Sequence, residues 1–228
     1  MNATGKLSRA QSIIFDFDGT LAPNLDLPDM RRQVVALTAA HGVPAAEFEH
    51  LFIVEIIEAA ALWLADRDHS TAGAYHRTAH QLITDFELAA AASTRVFDGI
   101  RETLSELKTL NIRLGVVTRN CQQAVRTIFH DIDDYCETVL ARDNAEFLKP
   151  DLRHVTQALK ALDTPPERAA MIGDGRMDML VGRELGMICV GVLSGSSDAA
   201  GLQAAGADLI LDDVRDLIGQ KFVKLSDG

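Results

Sequence analysis

From residue 96 onward, short apolar runs alternate with stretches of helical spacing, and this alternation limits the possible folds more than any other feature of the chain. Strands are expected at 112–117, 138–140, 169–172, 188–193 and 209–211. Helices are expected at 100–110, 121–129, 152–162, 177–185 and 199–204, with a last helical turn at 214–218. Strands joined through helices need right-handed crossovers, which produce a parallel sheet covered on both faces. The runs 114–117 (LGVV) and 188–193 (ICVGVL) are apolar without alternation, as strands buried on both sides must be. An earlier run, Ser12-Ile13-Ile14-Phe15, reads as a further buried strand that ends in the polar loop Asp16-Phe17-Asp18-Gly19-Thr20.

Between these two regions the pattern is helical only, with stretches at 29–40, 45–65 and 74–92 rich in Ala, Leu, Glu and Arg. The expected architecture is α/β: a doubly wound parallel-sheet body formed by 1–21 and 95–228, with an all-helical domain, 22–94, inserted after the first strand. An apolar content of 47% with 24% charged residues fits a chain that buries a core. Lys+Arg 22 against Asp+Glu 33 leaves a net charge of −11, which argues against nucleic acid or a membrane surface as partner. No apolar run approaches the ~18 residues of a membrane span, and the start MNATGKLSRAQ lacks the apolar core of a signal peptide, so a cytoplasmic location is expected. Three cysteines without C-x-x-C spacing speak against a disulfide framework or a zinc site.

Four polar motifs stand where expected strands end: Asp16-Phe17-Asp18-Gly19-Thr20, Thr118-Arg119-Asn120, Lys149-Pro150, and Gly173-Asp174-Gly175-Arg176-Met177-Asp178. In open α/β sheets ligands bind beyond the carboxyl ends of the strands. A pocket built there would gather four carboxylates, a hydroxyl and a lysine. Packed carboxylates repel one another until a cation relieves them, and oxygen donors without His or Cys select Mg2+. Thr118 and Lys149 can hold phosphoryl oxygens, and a carboxylate can act as the nucleophile of phosphoryl transfer.

Phe15-Asp16-Phe17-Asp18-Gly19-Thr20-Leu21 resembles the first motif of the haloacid dehalogenase superfamily of hydrolases. Val116-Val117-Thr118 resembles its second motif, Lys149-Pro150 its third, and Gly173-Asp174 with Asp178 its fourth. Their order and spacing match the helical-cap branch, which includes phosphoglycolate-phosphatase-like enzymes with a Rossmann-like core. The resemblance implies a Mg2+-dependent phosphatase acting on a small phosphorylated metabolite, 2-phosphoglycolate or a sugar phosphate, through an aspartyl-phosphate. It assigns Asp16 as nucleophile and metal ligand, and Asp18 as general acid and base that ligates the metal through its carbonyl. Asp174 becomes a second carboxylate ligand, and Asp178 supports the metal shell or orients Lys149. Thr118, Arg119, Asn120 and Lys149 would bind the substrate, Thr118 and Lys149 at the transferred phosphoryl group.

A phosphosugar mutase of the β-phosphoglucomutase type shares these residues, and a non-catalytic phosphometabolite-binding protein on the same fold is a further alternative. Thr20 stands where mutases often carry Val. The inserted helices are expected to close over the leaving group, with Arg31, Arg32, Arg67 and Arg77 as candidates to read an anionic one. Asn24 either lines the cleft or shapes a turn. His76 and His80, four apart, share a helix face, but without an accompanying Glu they read as ordinary surface. Phe52, Ile56, Leu62 and Trp63 read as core or as a contact surface, which leaves monomer or homodimer open. The run 194–198 (SGSSD) is either a phosphate nest or a loop entering a helix capped by Asp198.

Overall fold

The computed structural model describes Gly5 and residues 7–220. Six strands form one sheet: β1 (Ser12–Phe15), β2 (Arg113–Val117), β3 (Thr138–Leu140), β4 (Ala169–Gly173), β5 (Ile188–Val192) and β6 (Leu209–Leu211). Their order is β3-β2-β1-β4-β5-β6, and every pairing is parallel. This is the doubly wound α/β arrangement expected from the alternation. Chain direction across the sheet reverses between β1 and β4, and there the crevice beyond the strand ends opens. In register, Phe15 faces Val116 on one side and Ile172 on the other. Consequently Asp16, Thr118 and Asp174 leave the sheet at one edge.

All residues of β1, β4 and β5 are buried, which accounts for their unbroken apolar character. Ile14, Val117, Val155, Leu159 and Met171 lie in one cluster between the sheet and helix α6 (Leu152–Ala161). Full burial of such a side chain contributes about 1.5–3 kcal/mol. Asp151 caps α6 by accepting from the Arg153 amide at 2.9 Å. The remaining helices of this unit are α4 (Ile100–Thr109), α5 (Gln122–Ile128), α7 (Arg176–Glu184) and α8 (Ala199–Ala205).

The chain divides into two compact units: the described residues up to Asn24 together with those from Ala91 on, and Leu25–Ala90. The second unit is helical and has its own core, in which Val34, Phe48, Ile57 and Tyr75 are buried. It comprises α1 (Leu27–Ala40), α2 (Ile53–Ala65) and most of α3 (His69–Ala91). Asp26 starts α1 by accepting from the Asp29 amide at 3.0 Å, with Pro28 in the first turn. The buried Thr38 hydroxyl donates to the Val34 carbonyl at 2.8 Å and therefore accepts from the Tyr75 hydroxyl, 2.7 Å away.

Two helix expectations need correction here. The stretch 45–65 is broken, with a 3-10 turn at Ala45–Glu47 and a regular helix only from Ile53. Across the break the Glu47 and Phe48 amides turn back to the Pro44 and Ala45 carbonyls at 3.0 and 3.1 Å, and the Arg31 guanidinium braces the segment by donating to the Leu51 carbonyl and, at 2.5 Å, to the Glu49 carbonyl. The last helix of the unit begins at His69 rather than 74, because Asp68 accepts from the Ser70 amide at 2.9 Å and the Thr71 amide at 3.3 Å. Among the described residues no helix is long and apolar enough to cross a membrane. All three cysteines are buried, and no disulfide joins them.

Candidate active site

The edge of the sheet at β1 and β4 builds a compact cluster of charges. The Asp16 amide donates to the Ile172 carbonyl at 2.8 Å, extending the β1–β4 ladder by one step and fixing where the Asp16 carboxylate leaves it. A tight loop follows, in which the Phe17 carbonyl receives the amides of Thr20, Leu21 and Ala22 at 3.2, 2.9 and 3.1 Å. Gly19 sits in this loop with φ +78, and a Cβ there would lie 2.5 Å from both Asn24 Oδ1 and Asp174 Oδ2. Backbone conformation and the close approach of Asp174 both demand glycine at that place.

Lys149 is the cation of the cluster. Its Nζ donates to Asp16 Oδ1 at 2.8 Å and to Asp178 Oδ1 at 2.6 Å, and its side chain is 3% exposed. Burial alone would lower the Lys149 pKa, but the charges of Asp16 and Asp178 outweigh it and hold the ammonium protonated. Asp178 shows the reverse balance: burial, joined by the Asp16 charge, raises it above the usual carboxylate range, and Lys149 offsets only part of that. Its other oxygen accepts from the Gly175 amide at 3.3 Å and so closes the first turn of α7. One carboxylate thus fixes both the helix start and the lysine. The Lys149 amide donates to Nδ1 of the buried His154 at 3.0 Å. Burial, aided by the Lys149 charge, lowers the His154 pKa to about 3, so this imidazole is neutral.

Asp174 lies beside them, 3% exposed, its pKa raised by burial and by the Asp16 charge. The Ser196 amide and hydroxyl both donate to its Oδ2, at 2.6 and 2.8 Å. Thr20 Oγ1 accepts from the Asp174 amide at 3.1 Å, and the Asn24 amide group reaches Asp174 Oδ2 at 3.5 Å. The Ser194 hydroxyl donates to the Gly19 carbonyl at 2.7 Å, which ties the loop after β5 to the loop after β1. A Cβ on Gly195 would overlap the Asp174 carboxylate, so the backbone can pass only as glycine. Ser196 and Ser194 were not singled out individually by the sequence. The one signal for them was the run 194–198 following a strand at the same edge. Asp198 itself caps α8, accepting from the Gly201 amide at 2.7 Å.

On the other side of β1, Thr118 is fully buried at the end of β2, its amide bonded to the Leu140 carbonyl at 2.9 Å. The hydroxyl accepts from the Asn120 amide at 3.1 Å. Asn120 in turn donates through Nδ2 to both carboxylate oxygens of Asp18, at 3.0 and 3.2 Å. Arg119 points elsewhere: its guanidinium donates to the Lys149 carbonyl at 3.0 Å and holds the backbone of that segment.

Asp16, Asp174 and Asp178 bring one carboxylate oxygen each within 4.8 Å of the others. Three buried or half-buried carboxylates face a single ammonium, and all their donor atoms are oxygens. Such a set fits a hard divalent cation. The Asp18 side chain is held by Asn120 and is not one of this trio.

Of the four arginines of the helical unit, Arg31, Arg32 and Arg67 make local contacts and Arg77 lines a cleft. Arg31 braces the 49–51 loop, Arg32 pairs with Asp29. Arg67 lies over the Trp63 ring, 3.3 Å from its centroid, and Arg77 lines a cleft of about 640 Å³ with Gln33, Gln81 and Phe86. Of the apolar residues expected in this unit, Ile56 is buried, whereas Phe52 and Leu62 are exposed.

Comparison with known proteins places this chain in a family. A phosphoglycolate phosphatase from Caulobacter vibrioides is 30% identical over 214 residues, covering 90% of this chain and 88% of that protein. Pyrophosphatase PpaX from Bacillus cereus is 32% identical over 124 residues, 54% of this chain and 57% of that protein. A hydrolase from Pseudomonas syringae of known structure shares the fold, with a TM-score of 0.64 and 22% identity over 92% of this chain and 96% of that one. Residues 13–192 match the family described as haloacid dehalogenase-like hydrolase, a span running from β1 to β5. The chain belongs to the haloacid dehalogenase-like hydrolases.

Proposed function

We propose that this hydrolase cleaves phosphomonoesters of small metabolites, with 2-phosphoglycolate the first candidate and sugar phosphates next, through a phosphoryl group carried on Asp16. The observation that carries this reading is the Lys149 ammonium bridging Asp16 and Asp178 beside Asp174 at the carboxyl edge of β1 and β4. The phosphatase names of the relatives support it, and the pyrophosphatase among them makes inorganic pyrophosphate a further substrate to try.

In the first step an Asp16 carboxylate oxygen attacks phosphorus and the ester P–O bond breaks. The departing alkoxide takes a proton from Asp18, which leaves as part of the free alcohol. In the second step Asp18, now the base, removes a proton from water. That water attacks the phosphoryl group, releasing phosphate and restoring the Asp16 carboxylate. Asn120 aims Asp18 by donating to both its oxygens, and Lys149 holds Asp16 while offering charge to the phosphoryl oxygens. Thr118 would donate its hydroxyl to the same group. Asp16, Asp174, Asp178 and the Asp18 carbonyl would hold Mg2+, which when bound supplies neutralisation of the phosphoryl charge.

The test is phosphate release from an aryl phosphate with Mg2+, with EDTA, and by Asp16→Asn, followed by a panel of phosphorylated metabolites. Turnover that needs Mg2+ and falls by about a thousandfold or more in the variant is expected. Turnover undiminished in Asp16→Asn would overturn the mechanism. Interconversion of glucose phosphates with little phosphate release would replace the hydrolase reading with the mutase.

A further inference from the structure

His76 and His80 read as ordinary surface because the accompanying Glu of a zinc-protease helix is missing beside them in the sequence. The fold supplies one from the neighbouring helix. Glu58, on α2, sets Oε1 3.0 Å from Nε2 of His76 and 3.0 Å from Nε2 of His80, both on α3. The two rings lie with centroids 4.4 Å apart at 54°, and the three ligand atoms all fall within 4.8 Å of one another. Two imidazoles and a carboxylate converge on one point, and none of the three is sealed off: Glu58, His76 and His80 are 52, 42 and 28% exposed.

We propose that Glu58, His76 and His80 form a binding site for a divalent late-transition-metal ion, Zn2+ foremost. Histidines four apart on a helix present both Nε2 atoms to one ion. A set of two imidazole nitrogens and one carboxylate oxygen suits zinc and its neighbours, whereas Mg2+ takes oxygen donors. Zinc bonds of about 2.0–2.1 Å in a tetrahedron separate the ligands by about 3.3–3.4 Å, so the two 3.0 Å spacings from Glu58 have to open by only a few tenths of an ångström. Each ring carries its proton on Nδ1 when Nε2 bonds the metal, and the exposed face leaves the fourth position to water. Hydrogen bonding from His80 and His76 keeps Glu58 below the usual carboxylate range, so the carboxylate is already ionised at neutral pH. Because the ligands come from two helices, binding joins α2 to α3, and the folded unit gains stability from the ion.

These residues share nothing with the Asp16–Asp174–Asp178 trio, and the two metal preferences differ, which makes the sites separable in one experiment. The full chain is saturated with Mg2+ and titrated with Zn2+ by calorimetry, with Co2+ absorption as a reporter of tetrahedral geometry. One Zn2+ per chain is expected, with at least a tenfold weaker affinity in Glu58→Gln and no binding at this site in the His76→Ala/His80→Ala double variant. Zinc should raise the melting temperature of the parent protein and not that of the double variant. Absence of saturable binding by the parent protein overturns the proposal, and this arm stands even if a variant fails to fold. Unchanged affinity in the double variant or in Glu58→Gln overturns it equally.

Discussion

Around Lys149, three carboxylates are buried or nearly so and each is fixed by groups that come from distant parts of the chain. Around Glu58, one carboxylate and two imidazoles stand on exposed faces of two helices and are fixed mainly by one another. Burial makes the first cluster costly to disturb: a charge removed there leaves its partners unpaired in a low dielectric. Solvent makes the second tolerant, because water replaces a lost partner. The ligand atoms differ in the same sense, oxygens alone in the first and nitrogens with an oxygen in the second. One fold therefore carries a buried cluster of oxygen donors and an exposed cluster of mixed nitrogen and oxygen donors.

Lys149→Met should break the contrast most strongly. Asp16 and Asp178 would face each other without their ammonium, and a loss of about 3–5 kcal/mol is expected in urea unfolding without divalent cations. A loss below about 1 kcal/mol would mean that the cluster is as tolerant as the exposed one. Ser196→Ala comes next, since it removes one of the two Ser196 donors that orient Asp174. The Mg2+ concentration giving half-maximal phosphate release should rise about tenfold.

His154 sharpens the comparison through pH. Its folded-state pKa is depressed to about 3, so the unfolded chain binds the extra proton first as pH falls. The stability this group contributes is complete above the ordinary histidine value near 6.5 and is lost as pH drops toward 3. Between pH 7.5 and 5.5 the parent protein should lose about 1.4 kcal/mol more than His154→Gln, measured by denaturant titration at both values. Glu58→Gln is the smallest expected effect. Without transition metal, an exposed pair of this kind contributes under about 0.5 kcal/mol, and melting curves of variant and parent should nearly coincide.

The same contrast explains what could be read from the sequence. Asp16, Asp18, Thr118 and Asp174 are legible because they stand at or just beyond the ends of short apolar strands, which share one side of a parallel sheet, whereas Lys149, in the loop beyond β3, and Asp178, in the first turn of α7, are legible only as parts of the motif set. Strand positions were legible for the same reason, since two-sided burial leaves unbroken apolar runs. What stayed hidden depends on contacts that no local pattern encodes. Ser196 reaches Asp174 from a separate loop, and Glu58 reaches two histidines 18 and 22 positions further on. Arg31 braces the non-helical 49–51 segment inside the expected 45–65 helix from about 20 residues away. The early start of α3 was available in Asp68, whose carboxylate caps it, but Gly73 in the first turns weakened the helical pattern there.

The central claim is that Asp16 carries the phosphoryl group, and it can be tested directly. Asp18→Asn is mixed with an aryl phosphate, whose leaving group needs no acid, so that the adduct forms and then lacks its base. Borohydride converts an acyl phosphate on aspartate to homoserine, which peptide mass spectrometry locates. The account predicts homoserine at position 16, dependent on both substrate and Mg2+. Substrate consumption with Asp16 recovered unaltered, or a trapped phosphoryl group on another residue, would contradict it.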